Sequence, residues 1–223
     1  MADKTFIFGA SALAKVLLTY LQQEGKAPEG FVVDDAWCRE ETFCGLPLIP
    51  FSRMQERFPA DGYGVYVAIG YGKMNAVRRD AFLRLRGLGY AAPNYLHASV
   101  LDASHAMGEG NLIFPGVILD AGSEIGDGNV FYPAALIAHD SRIGSFNFFA
   151  PRAALAGDIT VGNRCFFGLN CSVKNGLTIG DRCLLGAGAF AAADLAEGSV
   201  LAAPRSVLLE KDSETIIEKV MKK

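Results

Sequence analysis

Between Leu101 and about Phe190 a large apolar residue recurs at every sixth position. The series runs Leu101, Met107, Ile113, Leu119, Ile125, Phe131, Ile137, Ile143, Phe149, Leu155, Val161, Phe167, Val173, Ile179 and Leu185. The next residue is often small, as at Gly108, Gly126, Gly144, Gly162 and Gly180. A unit of eighteen residues lies on top: Met107-Gly-Glu-Gly-Asn, Ile125-Gly-Asp-Gly-Asn, Ile143-Gly-Ser-Phe-Asn, Val161-Gly-Asn-Arg-Cys and Ile179-Gly-Asp-Arg-Cys are copies of one motif. A helix repeats every 3.6 residues and a strand every 2, so neither produces this period. A coil of three short flat faces does, with one hexad to a face. Each sixth side chain then fills the interior, and residues eighteen apart stack roughly 4.8 Å from one another. The small residues that follow are expected at the corners, where the backbone turns. The position two before each apolar residue, including Cys165, Cys171 and Cys183, is expected to hold compact inward fillers.

Upstream the pattern changes. Thr5-Phe-Ile-Phe, Phe31-Val-Val33 and Val65-Tyr-Val-Ala-Ile69 read as buried strands. Ala12 to Gln23 and Met74 to Arg86 read as helices, and Tyr90 to Tyr95 as a last strand. Ser52 with Gln55 has capping-box spacing for a short helix between them. Strands alternating with helices predict a parallel α/β sheet, whose ligands bind at the carboxyl ends of the strands. That places Gly9, Ala10, Ser11, Asp34, Asp35, Gly70 and Tyr71 along one crevice, the candidate substrate site. The first turn lacks the later glycines of a dinucleotide fingerprint, so NAD is not indicated. The helix start can still receive a phosphate on its free N–H groups. Residues 1–96 are thus expected to form an α/β domain, and residues 97–223 a β-coil with a short C-terminal cap.

Composition removes other classes. The 223 residues carry 21 basic and 24 acidic side chains, interspersed, with a net charge of −3. That leaves no footprint for nucleic acid. No run is long enough to span a bilayer, and the first residues lack a signal-peptide layout. Five cysteines without framework or metal spacing fit a reducing cytoplasm, and no metal is expected.

Within the coil His139 interrupts the apolar and small residues, with Asp140 beside it. Eighteen residues on, Gly157 and Asp158 stack over them. An imidazole oriented by a carboxylate is a general base, and a nearby backbone N–H stabilises an oxyanion. The trio suits acyl transfer. Phe146, Phe148, Phe166 and Phe190 lie off the inward register and are expected at a subunit interface.

The chain resembles the sialic-acid O-acetyltransferase and bacillosamine-pathway N-acetyltransferase family of hexapeptide-repeat acyltransferases. The resemblance rests on Phe8-Gly-Ala-Ser, Val33-Asp-Asp35, Gly45-Leu-Pro-Leu-Ile49, Val67-Ala-Ile-Gly70, Ile137-Ala-His-Asp-Ser-Arg-Ile-Gly144, Leu155-Ala-Gly-Asp-Ile-Thr-Val-Gly162 and Leu185-Gly-Ala-Gly188, in order from end to end. It implies a Rossmann-like nucleotide-sugar domain joined to a left-handed parallel β-helix. It implies a homotrimer with acetyl-CoA between neighbouring coils, lined by Gly168, Leu169, Gly186 and Ala187. By residue matching, His139 is the base, Asp140 its orienting acid and Gly157 the oxyanion donor. The family's first-turn glycine and histidine are here Ala12 and Leu13. The leading expectation is N-acetylation of a nucleotide-linked amino sugar for surface glycans. O-acetylation of a sialic-acid-like sugar is the alternative, and a non-catalytic trimeric scaffold that binds a nucleotide sugar is the alternative of another class.

Overall fold

In the computed structural model, residues 4–221 are described. The first unit is a five-stranded sheet of order β3-β4-β2-β1-β5. Its elements are β1 (Lys4–Phe8), α1 (Ala12–Gln23), β2 (Gly30–Val33), β3 (Thr42–Phe43), β4 (Leu46–Pro50), α2 (Phe51–Arg57), β5 (Tyr63–Val67) and α3 (Ala76–Gly87). All pairings are parallel except the β3–β4 hairpin. That hairpin turns through Cys44 and Gly45, at φ 49° and 79°, left-handed at both central residues as its tight turn requires.

Two sequence readings are corrected here. The span from Tyr90 to Tyr95 is not a sixth strand of this sheet: Ala91 makes one bridge to Gly64, and Tyr95–Leu96 already pairs with Leu112–Ile113 of the coil. Helix α2 is not opened by its own capping box. Ser52 N–H donates instead to Asp35 Oδ1, 3.0 Å away on another turn.

The coil has three faces. One holds seven strands (Tyr95–Leu96 to Val200–Leu201), one six (Leu101–Asp102 to Phe190–Ala191) and one five (Ala106–Met107 to Thr178–Ile179). From Met107 to Ala191 the rungs pair residues eighteen apart, as in Ile125↔Ile143 and Val173↔Ala191. Leu101 departs from the expected register. The first rung is one residue short, Asp102 pairs with Leu119, and Leu101 faces solvent while Val100 packs on the core. Inside, Phe131, Phe149 and Phe167 stack with centroids 4.6 Å apart and planes within 8°, so one rung spacing sets the ring spacing. The three inward cysteines are buried.

The corner chemistry also differs from expectation. The left-handed residue stands three after each inward apolar residue, at Asp140 and Phe146 for example (φ 57° and 60°). The glycine that directly follows serves close approach instead: a Cβ at Gly144 would lie 2.5 Å from Gly162 O. At the same vertex Asn111, Asn129 and Asn147 form a ladder, each side-chain oxygen accepting the next rung's N–H at 2.7–2.8 Å. This is why the repeated motif ends in Asn until buried Cys165 and Cys183 take over.

The two units share an apolar core. Residues Leu13, Leu17, Tyr66 and Tyr95 pack with Leu112, Phe114, Val130 and Phe148 of the seven-strand face. Phe146 packs on Phe82, and Tyr71 lies edge-on to Phe148 and Phe166. Phe146 and Phe148 are therefore buried within the chain and Phe166 partly so. Their expected place at a subunit interface is corrected, and only Phe190 of the four is exposed. The last helix, α4 (Ser213–Met221), follows an arm whose Val207, Leu208 and Leu209 face solvent; Lys222 and Lys223 lie outside the described residues. Among the described residues no helix is long and apolar enough to cross a membrane.

Candidate active site

His139 stands at the vertex between the six-strand and five-strand faces, two residues after inward Ile137. Asp140 follows in the left-handed conformation, which Asp tolerates better than most residues bearing a Cβ. Its Oδ2 lies 2.9 Å from His139 Nδ1. That hydrogen bond holds the imidazole pKa above its usual value, and the nearby charges of Asp140, Asp120 and Asp158 act in the same direction. Nε2 is left for other work and faces Gly157, where a Cβ would lie 2.5 Å from it. The next rung is tied in register, Asp158 N–H donating to His139 O at 2.9 Å.

The Gly157 amide differs from its equivalents at another vertex. The N–H groups of Glu109, Asp127, Ser145 and Asn163, each two residues after an inward side chain, are all taken by the side chain one rung on, at 2.7–3.0 Å. Among the described residues no acceptor takes the Gly157 N–H. A free amide beside an unpaired imidazole nitrogen can donate to an oxygen that gains charge as the ring accepts a proton. Gly157→Ala is expected to push the ring aside and lower turnover by about 100-fold, the scale of a 1 Å misplacement. The check is kcat together with thermal unfolding. Retained turnover in the folded variant would show that the ring's place against Gly157 does not matter.

The other candidate residues lie elsewhere. Gly168 and Leu169, with Gly186 and Ala187 one rung on, occupy the opposite edge of the six-strand face. Leu169 is exposed there. In the first unit Gly9, Ala10, Ser11, Asp34 and Gly70 line one cavity of about 280 Å³ at the carboxyl ends of β1, β2 and β5. Asp35 and Tyr71 do not line it. Asp35 caps α2, and the Ser52 N–H keeps its carboxyl below the usual range; Tyr71 serves the contact with the coil. The bonds and ring contacts of residues 4–92 with the coil go to the seven-strand face and its vertices, none to the His139 vertex among the described residues. His139 and the crevice of one chain thus stand on opposite sides of the coil.

Three residues escaped the sequence reading. Trp37 lines the crevice, and Arg84 pairs with Asp34 at 2.5 Å while lying over Phe8 and Phe51. Arg78 is buried and donates to Ile69 O and Gly70 O of the crevice floor and to Gly128 O, Phe146 O and Asn147 O of the coil. Arg78 was readable as an arginine on the buried stripe of Ala81, Phe82 and Leu85.

The hexapeptide repeat of succinyl-transferase matches residues 158–203. No curated protein matches the chain. Among solved structures, PerB of Caulobacter crescentus in complex with CoA and GDP-perosamine is 28% identical over 90% of this chain and 94% of its own, with a TM-score of 0.80. The acetyltransferase domain of PglB from Neisseria gonorrhoeae FA1090 has the same fold at 24% identity, covering 92% of this chain and 100% of its own, TM-score 0.80. WeeI from Acinetobacter baumannii AYE does so at 24% identity, over 92% and 99%, TM-score 0.80. A small α/β unit on a left-handed hexapeptide coil defines a hexapeptide-repeat acyltransferase. Within that class the chain is similar to nucleotide-sugar acetyltransferases such as PerB, with which it shares its fold over 90% of its length at 28% identity.

Proposed function

We propose that the protein acetylates the amine of a nucleotide-linked amino sugar for surface glycan synthesis, with His139 as general base. It is an acetyl-CoA-dependent sugar acetyltransferase, and the PerB relative is a GDP-perosamine N-acetyltransferase solved with CoA. The observation that carries the reading is the His139 ring, held by Asp140 on Nδ1 and open toward Gly157 on Nε2. The sugar amine attacks the thioester carbonyl, and Nε2 takes its proton. The Gly157 N–H steadies the oxyanion, and the coenzyme thiolate leaves with the proton that the imidazole returns. The test is thiol release from acetyl-CoA with UDP-, dTDP- and GDP-linked 4-amino sugars and with free sialic acid. Release with sialic acid alone would move the assignment to O-acetylation, and release with none would refute the reading.

A homotrimer is part of the same reading. The six-strand face presents Leu101, Ile118, Leu136, Ala154, Ser172 and Phe190 outward with no bond or ring contact to the first unit among the described residues, whereas the five-strand face presents Glu124, Arg142, Thr160 and Thr178. An uncovered apolar wall of this kind marks an interface. The wall is bounded by His139 on one edge and by Gly168, Leu169, Gly186 and Ala187 on the other. A neighbour packed on it would bring coenzyme groove, base and a second chain's crevice together. Sedimentation at micromolar concentration is expected to give a trimer. A monomer that turns over at full rate would rule out shared sites.

A further inference from the structure

The crevice has a wall that neither the catalytic vertex nor the helix start explains. Trp37 is the only tryptophan in the chain and is 69% exposed. It lines the 280 Å³ cavity together with Ile69, Val77, the Gly9-Ala-Ser11 loop and Asp34. An indole left in water forgoes the largest burial any side chain offers. Among the described residues no aromatic ring pairs with it, and the Arg39 guanidinium lies 5.8 Å from its ring centroid.

The turn that carries it is pinned. Trp37 N–H donates to Asp34 O at 2.8 Å, Cys38 N–H to Asp35 O at 3.2 Å, and the Asp35 carboxylate holds Ser52 N–H at 3.0 Å. The neighbouring Asp34 is held by Arg84 at 2.5 Å. An indole on a pinned turn, in one cavity with two apolar side chains, offers its face to a flat ring. At the cavity wall α1 begins at Ser11 with no side-chain cap on its first N–H groups, because Ser11 Oγ donates to Ala68 O.

We propose that Trp37 is the platform on which the nucleobase of the bound nucleoside diphosphate stacks. The ribose then lies toward Asp34, and the diphosphate reaches the amides of Gly9 to Ala12. This rests on the crevice being the nucleotide-sugar site of the proposed function, and it names the residue that grips the base. Stacking accepts any base because every base has a π-face. The sugar and the pyrophosphate must then carry the remaining selectivity. Asp35 is a positioning residue, acting through the turn that holds the indole.

The experiment titrates the full-length protein with GDP, UDP and dTDP, by calorimetry and by the fluorescence of its single tryptophan. The wild type is expected to bind with quenching of that fluorescence. Trp37→Ala is expected to weaken binding by roughly 5- to 150-fold, the range for loss of one base–aromatic stack, and Trp37→Phe to recover most of it. Exposure of the side chain makes both variants safe for folding, which thermal unfolding verifies. Asp35→Asn is expected to raise the dissociation constant less, and to reduce the depth of quenching at saturation. Nucleotide binding that is unchanged in Trp37→Ala, or that leaves wild-type fluorescence untouched, overturns the role of Trp37 and leaves the crevice reading standing. No calorimetric binding of any of the three to the wild type overturns the crevice reading itself, and this proposal with it.

Discussion

Replacing His139 by alanine is expected to lower kcat by roughly 10²–10⁴-fold, the usual loss when a positioned general base is removed. Affinity for coenzyme A is expected to stay near the wild-type value, since the proposed pantetheine residues Leu169 and Ala187 stand at the other edge of the six-strand face. The pH profile gives an independent reading. A base must be neutral to accept a proton, and the bond from Asp140 Oδ2 raises the imidazole pKa above its usual value. Activity should therefore rise with pH through a midpoint above ~6.5, the unperturbed histidine value. Asp140→Asn keeps a hydrogen-bonding group beside Nδ1 but removes the charge. Its midpoint should move to lower pH, with a smaller loss of kcat than in His139→Ala. Near-normal turnover in the alanine variant, or a midpoint that Asp140→Asn leaves in place, would remove His139 from the chemistry.

The coil was legible because its period is a geometric demand. A hexad that slips by one residue turns its apolar side chain outward, so each rung repeats the constraint. The reading failed where the repeat ends. Leu101 keeps the spacing, yet the first rung has no rung below to hold its register, and Val100 takes the inward place. The placing of the proposed trio was legible for the same reason: a spacing of eighteen stacks Gly157 on His139, so closely that a Cβ at Gly157 would lie 2.5 Å from His139 Nε2. What covers the coil was not legible. Phe146, Phe148 and Phe166 are outward-facing by register, and register alone does not say whether the cover is a neighbour or the chain's own first unit. Here it is the first unit, through Phe82 and Tyr71. The coil's hydrogen bonds are self-contained, but removal of residues 1–96 would strip Leu112, Val130 and Phe148 of their apolar partners. Trp37 escaped because an exposed tryptophan in a short turn belongs to no periodicity.

Arg78→Met is expected to destabilise the protein more than any other surface-neutral change of similar volume. The guanidinium is buried with no carboxylate among its hydrogen-bond partners. Burial pulls its pKa down to about 9, so the charge persists at neutral pH at a desolvation cost. Backbone carbonyls offset that cost: Nε donates to Gly128 O, Nη2 to Phe146 O and Asn147 O, and Nη1 to Ile69 O, Gly70 O and Asn75 Oδ1. The bond to Asn75 Oδ1 ties down the end of Lys73, Met74 and Asn75, three consecutive left-handed residues at φ 50°, 49° and 61°. Such a run is unfavourable for residues with a Cβ, and Asn75 Nδ2 to Cys165 O and Arg164 Nε to Met74 O complete its attachment to the coil. Methionine fills much of the volume but leaves the buried Gly128 O and Phe146 O without a donor, whereas Asn147 O keeps the Val130 N–H. Each buried orphan costs about 1–3 kcal/mol, so a loss of at least about 3 kcal/mol is expected, or a fall in Tm of about 6–12 °C for a chain of this size. The crevice floor loses its anchor in the same step. KM for the nucleotide sugar should rise, while acetyl-CoA binding, which the reading places around Leu169 and Ala187 at the other edge of the seven-strand face from the Arg78 contacts, should not. Differential scanning calorimetry and steady-state kinetics on Arg78→Met and Arg78→Lys decide it. Lysine restores the charge but cannot span both units, so it should recover little of either loss. A Tm within 1 °C of wild type in the methionine variant would mean that the apolar contacts alone hold the first unit to the coil.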